Sequence, residues 1–102
     1  MALVRAVYEA TKTFPSEESY GLTAQIRRSA VSIPSNIAEG AARSSDREFA
    51  HYLSIAKGSL SELETQLIIG KDLGYLKSNG NLFDLLEQVS RLIPGLHKKI
   101  AS

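Results

Sequence analysis

The sequence predicts an all-α protein, an antiparallel up-down-up-down four-helix bundle whose second helix is bent at Pro34. Three observations carry this. Apolar residues recur at intervals of three and four in four separate stretches, the mark of one buried face per helix. No stretch alternates with the period of two that a strand requires. The segments between the stretches are short and rich in Pro, Gly, Ser and Asn, which suits a bundle joined by tight loops.

The first helix is expected from about Leu3 to Thr13, with Val4, Val7, Tyr8 and Thr11 on one face. It stops at Phe14-Pro15, because the residue before a proline avoids the helical region. Ser16 to Gly21 is a connector with room for one helical turn over Ser16, Glu17 and Glu18. The second helix starts at Leu22 or at Thr23, the latter a candidate N-cap, and runs to Ala42. Its apolar face is Leu22, Ile26, Ala30, Ile33, Ile37 and Ala41. Pro34 interrupts that face; inside a helix a proline removes a hydrogen bond, crowds the preceding turn and costs about 3 kcal/mol. The residues near it, Ser32, Ser35 and Asn36, are small and polar and supply local donors.

The third helix opens on Ser45-Asp46-Arg47-Glu48, an S-x-x-E capping box ahead of an apolar run. Its seam is Phe49, Leu53, Ala56, Leu60, Leu63, Leu67 and Gly70, a coiled-coil-like alternation of four and three. It ends near Leu73-Gly74, where Gly74 suits a left-handed C-terminal cap. The turn cluster Ser78-Asn79-Gly80-Asn81 precedes a fourth helix with Leu82, Leu85, Leu86, Val89, Leu92, Ile93, Leu96 and Ile100. Pro94-Gly95 either bends that helix or splits off its last turns.

Length and composition narrow the function. At 102 residues and 43% hydrophobic, residues 1–102 form one domain with one core rather than a disordered chain. The absence of cysteine excludes disulfides, thiolate metal sites and a cysteine nucleophile. No apolar run reaches the ~20 residues needed to cross a bilayer and no signal-peptide cleavage pattern is present, so no membrane partner and a cytoplasmic location are expected. The two histidines, His51 and His97, lack ligand spacing, and no P-loop, dinucleotide loop, H-E-x-x-H, G-x-S-x-G or EF-hand pattern occurs. No catalytic, metal-binding or cofactor-binding residue is assigned, and no enzyme is expected.

Candidate interaction residues remain. Arg28, Asn36, Glu39 and Arg43 are candidates for a polar network or partner surface on the second helix, with a solvated face as the plain alternative. Arg28 is also placed to pair with Glu62 or Glu64 across a hairpin of helices two and three. Arg27, Arg28, Arg43 and Arg47 outnumber Glu39 and Asp46 between residues 21 and 47, a small basic patch. These four arginines are the candidate nucleic-acid contacts, although nucleic-acid binders usually carry a larger basic excess. Helix three carries a second stripe, Tyr52, Ile55, Ser59, Glu62, Gln66 and Ile69. Tyr52, Ile55 and Ile69 are the candidate oligomer interface, and contact with another helix of the same chain explains the stripe equally well.

Several of these residues carry a family resemblance. Phe14-Pro15, Glu18, Tyr20-Gly21-Leu22-Thr23, Gln25, Arg27-Arg28 and above all Ser32-Ile33-Pro34-Ser35-Asn36-Ile37-Ala38-Glu39-Gly40 resemble the four helix bundle protein family, also called the 23S ribosomal RNA intervening-sequence protein family. The likeness continues through Arg43, Ser45, Glu48-Phe49, Gly58-Ser59, residues 62–67 and Leu73-Gly74-Tyr75, nearly the whole chain. Met1 to Tyr8 is similar to the middle of a longer first helix in relatives, and Pro94-Gly95 falls where relatives continue their last helix. The resemblance implies an antiparallel bundle assembling as a ring-shaped homopentamer, with no general activity established. It also extends distantly to the accessory variability determinant of diversity-generating retroelements, a basic pentamer that binds a reverse transcriptase. Two expectations follow: a non-enzymatic oligomeric scaffold whose partners are copies of itself and another protein, or an RNA- or DNA-binding accessory module using the arginine patch.

Overall fold

The computed structural model describes residues 1–77 and 80–101, and among them the regular structure is entirely helical. In order these are α1 (Ala2–Thr11), one 3-10 turn (Ser16–Glu18), α2 (Leu22–Ala41), α3 (Asp46–Asp72) and α4 (Gly80–Ala101). Ser78 and Asn79 of the expected turn cluster lie outside the described residues.

The first helix buries Leu3, Val7 and Thr11, successive residues four apart. Val4 is half-buried and Tyr8 lies at the edge, so the buried stripe is rotated relative to the one expected. The rotation follows from position, since α1 sits between α2 and α4 and faces both. Thr11 Oγ1 donates to the carbonyls of Val7 (2.9 Å) and Tyr8 (3.2 Å), closing the last turn before Phe14-Pro15.

Helix α2 begins at Leu22, and its N-cap is Gly21 rather than Thr23, which is buried in the first turn. The free N–H of Leu22 donates to Glu18 Oε1 at 3.2 Å, so a carboxylate upstream caps the positive end of the helix. The helix runs unbroken through Pro34, with Ala30 and Ile33 buried before it and Gly40 buried after it.

Both ends of α3 follow their sequence signals. Ser45 Oγ accepts from the Glu48 N–H at 3.1 Å. Gly74 takes φ +79°, while Tyr75 N–H and Gly74 N–H donate to the carbonyls of Gly70 and Lys71. That is a Schellman ending, which requires the left-handed residue glycine supplies. Between the caps Leu53, Ala56, Leu60, Leu63, Leu67 and Gly70 are buried, as the seam predicted. Phe49 is half-buried at the end of the row. Helix α4 is one helix through Pro94, burying Leu82, Leu86, Val89 and Ile93.

The helices close into a ring: α1 packs on α2, α2 on α3, α3 on α4, and α4 back on α1. One apolar cluster fills the middle, drawing Leu3 and Val7, Ile26 and Ile33, Leu53 and Leu63, and Leu82 and Ile93 from the four sides.

Candidate functional site

The polar residues singled out in the sequence converge on the joint between α2 and α3. Contacts there run in opposite sequence order, Ser29 with Gln66, Ser32 with Ser59 and Gly40 with Tyr52. Small residues bring the backbones together. A Cβ on Gly40 would lie 2.7 Å from Tyr52 Cβ and 3.3 Å from the Phe49 carbonyl oxygen.

Three hydrogen-bonded groups line this joint. At one end the buried Ser29 hydroxyl donates to Gln66 Oε1 at 3.0 Å, and Gln66 Nε2 donates onward to Glu62 Oε1 at 3.3 Å. In the middle Ser32 Oγ and Ser59 Oγ share a 2.8 Å hydrogen bond across the helices. Asn36 Nδ2 donates to Ser32 Oγ (2.9 Å) and to the Ser32 carbonyl (2.8 Å), on the turn that carries Pro34. At the far end Arg43 Nη2 donates to Glu39 Oε1 at 2.5 Å and to Tyr52 Oη at 2.8 Å, with its guanidinium carbon 5.0 Å from the Tyr52 ring centre. The Glu39 hydrogen bond comes first, with the nearby Tyr52 hydroxyl and Glu39 carboxylate behind it, in raising the Arg43 guanidinium pKa above its usual value. Among the described residues no buried side-chain polar atom lacks a partner.

Glu39 and Arg43 meet in one hydrogen-bonded group with Tyr52, while Asn36 belongs to a separate one with Ser32 and Ser59. Arg28 joins neither: it is exposed, and no ion pair joins it to Glu62 or Glu64. Successive helical residues are rotated by ~100°, and it is the next residue, Ser29, that points across to Glu62 and Gln66.

The four arginines divide in two. Arg27 lies on the other flank of α2, where Nε donates to Thr11 Oγ1 at 2.9 Å and the guanidinium sits 4.6 Å from the Tyr8 ring centre. Its Nη2 reaches the Tyr8 carbonyl at 3.5 Å, near the C-terminal end of α1. Arg27 and Arg43 thus have partners inside the chain, whereas Arg28 and Arg47 are exposed with no such partner among the described residues.

The second stripe of α3 also divides. Ser59, Glu62 and Gln66 are engaged with α2, and Tyr52 with Arg43 just beyond its end. Ile55 and Ile69 remain 39% and 43% exposed, and Ile68 and Leu73 are exposed as well. The stripe therefore serves its own chain through its polar members and leaves its isoleucines to solvent. Tyr20 is 99% exposed on a tight turn where Gly21 N–H donates to the Glu18 carbonyl.

No group of three His, Asp or Glu side chains among the described residues is placed to hold a metal. No helix among them is long and apolar enough to cross a membrane. His51 stands edge-on to Tyr52, with ring centres 5.5 Å apart.

The profile of one protein family, described as 23S rRNA-intervening sequence protein, matches residues 1–95. No curated protein matches the chain.

Proposed function

The chain belongs to the 23S rRNA-intervening sequence protein family, and on that footing we propose that it is a non-enzymatic helical bundle that works by associating with copies of itself. The observation that carries this reading is the exposed apolar edge of α3. Ile55 and Ile69 lie fourteen residues apart along the helix, about 21 Å at ~1.5 Å per residue, with Ile68 and Leu73 near one end. The polar side chains beside this edge bond to one another across α2 and α3, which favours a structural use for them over a catalytic one. In the proposed assembly, a homopentameric ring suggested by the family resemblance, that edge is covered by a neighbouring copy.

Within each copy, the opposite sequence order of the α2/α3 contacts and the closed ring support the up-down-up-down order. A bend at Pro34 is part of the same proposal, since a proline ring displaces the carbonyl four residues before it.

Tyr52 is occupied by Arg43, so Ile55 and Ile69 are the better residues to test. An Ile55→Arg, Ile69→Arg double variant is expected to fall to monomer mass in light scattering while keeping its helical circular dichroism. A folded variant that retains the parent's mass refutes the edge as the interface.

The alternative, an RNA- or DNA-binding module, is favoured by the unpaired Arg28 and Arg47 and weakened by the internal partners of Arg27 and Arg43. It requires binding that falls steeply with salt and drops in an Arg28→Ala, Arg47→Ala variant. Salt-insensitive or absent binding of ribosomal RNA fragments removes it.

A further inference from the structure

Two prolines sit inside helices, and their surroundings differ. After Pro34 the chain is held again: Asn36 bonds twice to Ser32, Ser32 bonds to Ser59 on α3, and Gly40 is buried against Phe49 and Tyr52. After Pro94 none of the described side chains is buried. Leu96, His97 and Ile100 are half-covered, while Pro94, Gly95, Lys98 and Lys99 are exposed. Immediately before it the helix is firmly seated, with Leu82, Leu86, Val89 and Ile93 in the core.

The backbone lacks a donor at the same place. Pro94 has no N–H to give the Ser90 carbonyl, and its ring crowds that carbonyl. The Ser90 hydroxyl donates back to the Glu87 carbonyl at 2.6 Å, a local bond that competes with helical geometry. Gly95 follows with no heavy atom within 4 Å of where its Cβ would be, so no close approach explains a glycine there.

We propose that the turns of α4 beyond Pro94-Gly95 form a strap that opens by itself about this joint. Opening lifts Leu96 and Ile100 off the core and uncovers the apolar surface beneath them, while the turns up to Ile93 stay folded. The strap is a property of each copy and does not depend on the assembly proposed above.

Amide hydrogen exchange on the intact chain tests this. Residues 97–100 are expected to exchange at least about a hundredfold faster than residues 86–93. In a Pro94→Ala, Gly95→Ala variant, which restores the missing donor and a better helix former, exchange at residues 97–100 is expected to slow by about tenfold or more. Residues 37–41, beyond Pro34, are expected to stay protected and unchanged in both proteins. Uniform protection across Pro94 overturns the proposal. So does unchanged exchange in the variant, which is ordinary end-fraying, and so does equal slowing throughout the chain, which is global stabilisation.

Discussion

Replacing Gly40 and Gly58 by alanine should move stability in opposite directions. Both glycines lie inside long helices, so each substitution gains up to about 1 kcal/mol of helix propensity. At Gly58 nothing lies within 4 Å of the new Cβ, and that gain is expected almost whole. At Gly40 the new methyl meets Tyr52 Cβ at 2.7 Å, Phe49 Cδ1 at 3.0 Å and the Phe49 carbonyl oxygen at 3.3 Å. Two of those atoms are fixed to the α3 backbone and cannot swing away as a side-chain tip can. Either α2 and α3 separate or the hydrogen bonds of Arg43 and Ser32 stretch, and overpacking of this kind costs about 1–3 kcal/mol. Net of propensity, Gly40→Ala should lose up to about 2 kcal/mol, at about 4–8 °C for each kcal/mol in a chain of this length. Urea midpoints for the two variants, read at several protein concentrations to separate folding from assembly, decide the matter. If Gly40→Ala is as stabilising as Gly58→Ala, the close approach of α2 and α3 is refuted.

Three further outcomes are expected. Gln66→Leu removes the nearer acceptor of the buried Ser29 hydroxyl, leaving Glu62 Oε1 at 3.4 Å, and should cost about 1 kcal/mol, most of which a second Ser29→Ala change recovers in a double-mutant cycle; additive losses would mean the two residues are uncoupled. Arg27→Ala removes the bond to Thr11 and the stacking on Tyr8, and should cost about 1 kcal/mol with amide protection lost mainly in α1; protection lost evenly over the chain would contradict that role. Burial, and then the Glu18 charge, raise the Tyr75 phenol above its ordinary value. The folded state therefore favours the neutral phenol, and this contribution to stability is complete below the unfolded pKa of about 10 and shrinks as pH rises past it. Tyr75→Phe should flatten that alkaline decline, and an unchanged slope in denaturation midpoints between pH 9 and 11 would exclude Tyr75 as its source.

Local signals were legible where one element determines its own geometry. The Ser45 N-cap, the left-handed Gly74 and the seam from Leu53 to Gly70 all appear as read, because each depends on residues within a turn or two. The Thr23 cap was misjudged because a carboxylate four residues upstream of Leu22 reached the helix end first. Arg28 was misjudged because matching residues by level along a hairpin ignores rotation, and the adjacent Ser29 holds the inward position. Arg27 gave no warning of its role, since only the placement of α1 brings Tyr8 and Thr11 against it.

By itself the sequence determined the helical class, both ends of α3 and the α3 seam from Leu53 to Gly70. Those features follow from apolar periodicity and backbone stereochemistry, both written in neighbouring residues. Tertiary structure decided the rest: which flank of α2 meets α3, why Gly40 has no side chain, and which arginines have partners inside the chain. These depend on how two helices are rotated against each other. A rotation by one residue exchanges a serine in the joint for an arginine in solvent while leaving the seam residues of α3 unchanged.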